Sequence, residues 1–201
     1  PDEGVPTSNS ALSSVPSTAP LHEFQNVLAD AAKECFLTLT PGLAEASAEL
    51  FSELQSSSVV SVVGGDFSGK TSLIRLAAAA ASRLTNQSPV YVHHIVCGSL
   101  SQDGLFGSTQ PGHEGAIEQA ITRSIALLGL AEVWLVLDST CENERVFSIC
   151  QMINNHMFKS GSGSNILIPT NLRLIFEVSD DWRLAKRLFT LHNVQSVYVQ
   201  P

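Results

Sequence analysis

The run Gly64-Gly65-Asp66-Phe67-Ser68-Gly69-Lys70-Thr71 satisfies the spacing G-x-x-x-x-G-K-[ST] at every position. Glycines so placed let a backbone wrap a phosphate with its N–H groups turned inward, and a helix opening near Gly69 adds the positive end of its dipole. In a loop of this kind the Lys70 ammonium reaches the β- and γ-phosphates and the Thr71 hydroxyl ligates magnesium; Ser72 closes the expected nucleotide-binding set Gly64, Gly65, Asp66, Phe67, Ser68, Gly69, Lys70, Thr71 and Ser72. A strand-to-helix turn that is merely rich in small residues is the competing explanation. The flanks argue against it, because Val59, Val60, Val62 and Val63 form a β-branched run directly before the glycines and a helical pattern from Gly69 to about Leu84 follows them.

Phosphate chemistry of this kind needs an acid at the end of a neighbouring apolar strand, holding magnesium through water, and usually a second acid to activate the attacking water. Val133-Trp134-Leu135-Val136-Leu137-Asp138 supplies the first acid, so Thr71 and Asp138 are the expected magnesium residues. The next position is Ser139, where a hydrolase of this design carries Glu, and a serine hydroxyl has no useful basicity near neutral pH. Binding is expected to be intact and hydrolysis weak or absent. Glu142 or Glu144 is a substitute base if either is not simply a helix-dipole partner, and Asp138 has its own competing role as a solvated strand-end carboxylate. No N-K-x-D, no D-x-x-G after Asp138 and no LSGGQ-like signature occurs, which removes support for guanine specificity and for a transporter-type cassette.

The elements that must position these residues alternate along the chain. Amphipathic helices are expected at Leu21, Phe24, Leu28, Ala31, Ala32 and Cys35, ending before Pro41, and at Leu43, Ser47, Leu50, Phe51 and Leu54. After the glycine loop come a strand near Val90–Val96, a loop through Gly104, Gly107, Pro111 and Gly112, and a helix carrying Ile117, Ala120, Ile121, Ser124, Ile125 and Leu128. A strand at Val133–Leu137, a helix face of Val146, Ile149, Cys150, Ile153 and Met157, a strand at Leu172–Val178 and a fifth at Ser196–Gln200 complete the series. The order predicts an α/β fold, a P-loop three-layer sandwich with a mostly parallel five-stranded sheet. Ser160-Gly161-Ser162-Gly163-Ser164 reads as a flexible surface loop or a hairpin tip.

Length and composition bound the rest. The 201 residues suit one domain and a terminal extension, residues 1–20 with their four Pro, five Ser and two Thr being the expected disordered tail or linker. Nineteen acidic against eleven basic side chains leave a net charge of −8, which repels phosphate backbones and anionic membranes, so neither nucleic acid nor membrane is an expected partner. Cys35, Cys97, Cys141 and Cys150 show no zinc spacing and suit reduced thiols inside a cell. His93-His94 cannot chelate one metal together, since adjacent strand side chains face opposite ways. Trp134 and Trp182 are expected to pack rather than to stack on a base. No stretch approaches the roughly 20 apolar residues of a membrane span, no signal peptide is legible, and a chain opening on Pro1 reads as a soluble piece of something longer.

Trp134-Leu135-Val136-Leu137-Asp138, Met152-Ile153-Asn154-Asn155 and the run Ile168-Pro169-Thr170-Asn171-Leu172-Arg173-Leu174-Ile175-Phe176-Glu177-Val178 together resemble an AAA+ module of a dynein heavy chain. Leu105-Phe106-Gly107 is similar to a motif after the third strand of those modules, and Val197-Tyr198-Val199 to their closing strand. The resemblance covers about 21–201, the large α/β part of one module, without the helical lid. The acid-then-small ending and Phe176-Glu177-Val178 are most similar to the second ring module, which in the family binds ATP without appreciable turnover; Ser72–Ala78 is also similar to the fourth. The resemblance implies ATP or ADP with Mg as cofactors, adenine near Leu37–Leu43, and ring neighbours in the same heavy chain as partners. It implies intermediate and light chains, and a microtubule contacted only through a separate stalk, as partners of the parent. The place implied is cytoplasm and cytoskeleton, with axoneme or cilium the alternative. The family's trans-acting Ser-Arg pair is replaced here by His192-Asn193, with Arg183 and Arg187 the nearest other arginines. Two other outcomes stay open on these residues: a hydrolytically active module, and a nucleotide-free module serving only ring assembly.

Overall fold

A computed structural model of the chain describes residues 19–84, 88–110, 113–138, 149, 152, 155–179 and 194–199. Two helices open it, α1 (Ala19–Glu34) and α2 (Pro41–Ser56). Thr40 caps α2, its hydroxyl accepting from the Leu43 N–H at 3.2 Å, with Pro41 at the first helical position where a missing N–H costs nothing. The strand β1 (Val59–Val63), the helix α3 (Lys70–Ala81) and the strand β2 (Val90–Val96) follow. A single 3-10 turn (Cys97–Ser99), α4 (Gln102–Phe106), α5 (Ala116–Ala126) and β3 (Glu132–Asp138) come next. A short hairpin, β4 (Met157–Lys159) and β5 (Asn165–Leu167), precedes β6 (Leu172–Val178) and β7 (Gln195–Tyr198).

Five strands form one sheet in the order β2-β3-β6-β1-β7, every neighbouring pair parallel. Parallel strands covered on both faces must be apolar on both, and β1, β3 and β6 are almost continuously buried. Alternation divides them into two cores. Val60, Val62, Trp134, Val136, Ile175 and Val197 meet α1, α2 and α3, whose Phe24 and Phe51 rings stack at 4.3 Å and 10°. The opposite faces, with Leu135, Leu137, Leu174, Phe176 and Val178, meet Leu105, Ile117 and Ile121 of α4 and α5 and Phe158 of β4. Alanines 77, 78, 80 and 81 are buried on α3, and their small volume lets that helix lie close to both the sheet and α1. At the N-terminal ends of the strands the Asn171 amide donates to the Ser124 and Ala131 carbonyls at 2.9 Å each and accepts from the Ser124 hydroxyl, tying β6 to α5 and β3.

Several expectations shift by a few residues. The first helix begins at Ala19, inside the stretch assigned to the tail, while residues 1–18 lie outside the described residues. The fifth strand is Gln195–Tyr198 rather than 196–200. Met157, placed by periodicity on a helix face, opens β4 instead: it pairs with Leu167 across the hairpin, so pairing to a second strand overrides a pattern that fits a helix. Ser160–Ser164 is the hairpin tip, closed by Ser160 N–H to Ser164 O at 2.8 Å, by the Ser164 N–H donating to the Ser160 hydroxyl and by the serine hydroxyls among themselves. Among the described residues no helix is long and apolar enough to cross a membrane.

Candidate functional site

The glycine loop leaves the C-terminal end of β1 and enters α3, as the motif requires. Gly64 is held by its N–H on the Val178 carbonyl at 3.1 Å, and a Cβ there would stand 2.5 Å from Ser68 Oγ and 2.9 Å from the Val199 carbonyl oxygen. Only glycine lets the loop fold this tightly over β7. Gly69 takes φ +92°, the left-handed region open to glycine, as the N-cap of α3, and no side chain caps that helix. Its first N–H donors therefore have no side-chain cap among the described residues. At the apex Phe67 holds φ +62° with its ring wholly in solvent, a conformation costing a residue with a Cβ about 1 kcal/mol or more. Asp66 beside it is exposed as well.

Lys70 is buried, and its ammonium donates to the Gly64 and Gly65 carbonyls at 2.8 Å each. Two of its three donors thus rest on the loop they would serve. The Ser68 hydroxyl is buried with no hydrogen-bond partner among the described residues. A buried unpaired hydroxyl, an uncapped helix start and a backbone cradle that a Cβ would fill are what an anion at this loop would use.

Alternation along β3 and β6 decides which acids reach the loop. Trp134 and Val136 face α3, so Asp138 does too; Ile175 faces α3, and Glu177 with it. Asp138 and Glu177 are direct register partners, and Val62 of β1 flanks Glu177 on the other side. The Thr71 hydroxyl donates to Glu177 Oε1 at 2.6 Å. Glu177 is 93% buried, its Oε2 accepts no hydrogen bond among the described residues, and His94 Nε2 lies 3.5 Å from it. His93 lies on the other face, where burial and the Arg123 guanidinium hold its imidazole below the usual value. The histidine pair divides between faces as strand geometry demands.

Glu177 is the site residue that motif spacing does not find. It is the one charged side chain in Leu174–Val178, and that signal, an acid at the end of an apolar strand, is the same one that picks out Asp138. Strand order alone makes the two adjacent. Ser139, Cys141, Glu142, Glu144, Cys150, Trp182, Arg183, Arg187 and His192-Asn193 lie outside the described residues. Trp134 is fully buried, as expected of a packing residue.

Beside the loop a cleft of about 790 Å³ opens between the start of α2, the start of α3 and the end of β7. Thr38, Thr40 and Leu43 form one wall and Ser68, Gly69 and Ser72 the other, so the Leu37–Leu43 segment does border the phosphate loop. Glu49 on the α2 wall has its carboxyl pushed above the ordinary value by burial and by Glu53 and Glu45.

A parallel sheet of this order, with a G-x-x-x-x-G-K-[ST] loop at the end of its β1 and an acid at the end of β3, defines a P-loop nucleoside-triphosphatase fold of the AAA+ type. The solved structures it is similar to agree: NtrX from Brucella abortus in complex with ATP (TM-score 0.55, 18% identity, covering 81% of this chain and 38% of that one) and in complex with ADP (TM-score 0.56, 17% identity, 87% and 40%). In sequence the chain is similar to a cytoplasmic dynein heavy chain of Caenorhabditis elegans, 29% identical over 127 residues, 59% of this chain. The dynein AAA+ resemblance thus rests on an alignment as well as on motifs. The chain spans 3% of that relative's length. No protein-family model matches it.

Proposed function

We propose that this chain is an ATP- or ADP-binding AAA+ module of a dynein-type heavy chain, holding the nucleotide with magnesium as a structural link in a motor ring and hydrolysing it weakly or not at all. One observation supports the reading: Lys70 is buried against the Gly64 and Gly65 carbonyls beside a Ser68 hydroxyl that has no partner among the described residues. The Gly64–Gly69 backbone and Lys70 take the phosphates, Ser72 borders them, and adenine enters the cleft between the 37–43 segment and α3. Thr71 and Asp138 are the magnesium residues. When bound, the metal screens phosphate charge; the chain's own part is to hold Thr71 and the acids at one edge of the sheet. NtrX, with its ATP and ADP complexes, and the dynein relative support this assignment by likeness. Ring neighbours within a heavy chain, the intermediate and light chains, a microtubule reached through the parent's stalk, and a cytoplasmic, cytoskeletal or axonemal setting belong to the same proposal.

Calorimetric titration with Mg-ATP, followed by a phosphate-release assay on the same sample, tests it. Saturable binding that Lys70→Ala abolishes, with little phosphate released, is the expected result. No binding by the wild-type chain would overturn the nucleotide reading, and steady turnover lost in Asp138→Ala would overturn the structural role.

A further inference from the structure

A threonine hydroxyl that donates its O–H to a neighbouring carboxylate keeps both oxygen lone pairs free to turn toward a cation. Motif reasoning leaves that task to the β3 acid, Asp138. The geometry points to Glu177 as the residue that positions Thr71 for the divalent cation, making the metal dependence of nucleotide binding a property of β6. This rests on the nucleotide reading above and deepens it.

Three observations meet on Glu177. Its Oε1 receives the Thr71 hydroxyl at 2.6 Å, the length of a charge-assisted O–H···O bond. A hydroxyl that donates there has both lone pairs left for a ligand on its open side. The second oxygen, Oε2, is buried without a hydrogen bond among the described residues, with the His94 ring nitrogen at 3.5 Å, so one acceptor at the site is unspent there. Register places Asp138 directly beside it on the next strand, so two acids from two strands border the loop where other designs put two on one strand. Among the described residues no three His, Cys, Asp or Glu side chains gather closely enough to hold a metal by themselves. A cation here draws its remaining ligands from phosphate and water, and the protein's contribution is orientation, the role in which outer carboxylates act elsewhere.

The test uses the full chain with Mn²⁺ as the probe and ADP as the nucleotide. ADP affinity is measured by calorimetry in EDTA and in Mn²⁺, and bound Mn²⁺ by electron paramagnetic resonance, for wild type, Glu177→Gln, Thr71→Val and the double variant. The expected result is that the ratio of ADP affinities with and without Mn²⁺ falls by about 10- to 100-fold in Glu177→Gln. Thr71→Val should lose a similar factor and the double variant no more than either alone, because both remove one unit. A Glu177→Gln chain that loses ADP affinity equally in EDTA and in Mn²⁺ would make Glu177 merely structural and overturn the proposal. So would an unchanged ratio, or additive losses in the double variant. If Glu177→Gln does not fold, Thr71→Val decides alone: retention of the wild-type ratio overturns the proposal. Failure of the wild-type chain to bind ADP under either condition removes the nucleotide reading itself, a different result from a wild type that binds without Glu177 mattering.

Discussion

Replacing Gly64 by alanine probes the tightest point of the loop. The added methyl would stand 2.5 Å from Ser68 Oγ, 2.9 Å from the Val199 carbonyl oxygen and 3.3 Å from the Val199 Cβ. These neighbours yield differently. The Ser68 hydroxyl rotates about one bond and leaves no hydrogen bond behind among the described residues. The Val199 carbonyl is backbone, and its residue is pinned by N–H donation to the Val63 carbonyl at 2.8 Å beside the β1–β7 ladder. Relief therefore requires β7 to move from β1 by a few tenths of an ångström. Overpacking of this kind costs about 1 to 3 kcal/mol. For a domain of this size that lowers Tm by roughly 3 to 9 °C. Thermal unfolding followed by tryptophan fluorescence, with differential scanning calorimetry beside it, reads the shift. Gly64→Ala/Ser68→Ala should recover part of it but not all. Gly42→Ala serves as a control of opposite sign: nothing lies within 4 Å of its Cβ, and alanine in the first turn of α2 should gain about 0.5 to 1 kcal/mol. A Gly64→Ala chain melting within about 1 °C of wild type, or complete rescue by Ser68→Ala, would refute the claim that the Val199 backbone closes the cradle.

Phe51→Ala removes one ring of the Phe24–Phe51 stack from between α1 and α2 and should cost about 3 to 5 kcal/mol, read by urea unfolding. Asn171→Ala strands the buried Ser124 hydroxyl and two carbonyls, and a loss of about 2 to 4 kcal/mol is expected, against near-neutrality if water replaces the amide. His93 is held by burial and by Arg123 below its unfolded value of about 6.5, so between those two values the unfolded chain binds more protons. The stability present above about pH 6.5 is then lost as pH falls toward the folded value, and His93→Gln should flatten that part of a Tm-against-pH profile; parallel wild-type and variant profiles would disprove the coupling.

The glycine loop was legible in the sequence because its pattern is local. Gly64, Gly69, Lys70 and Thr71 are consecutive or nearly so, and the turn they form follows from backbone conformation and side-chain type within eight residues. The apolar runs of β1, β3 and β6 were equally plain, since strands buried on both faces must be apolar throughout. Met157 misled for the converse reason: a three-residue strand carries too little pattern to compete with helical spacing, and only its partner Leu167 makes it a strand. Glu177 marks the boundary most clearly. Its residue type and its position at a strand end stood in the sequence, but it lies 106 positions from the threonine it binds. Which strand lies beside β1 is set by how helices and sheet close their cores, and no local spacing encodes that order. Composition and motif thus determined that a glycine loop joins an apolar strand to a helix and which residues form it. The tertiary structure alone decided that β6 rather than β3 adjoins β1, and with it which carboxylate meets Thr71.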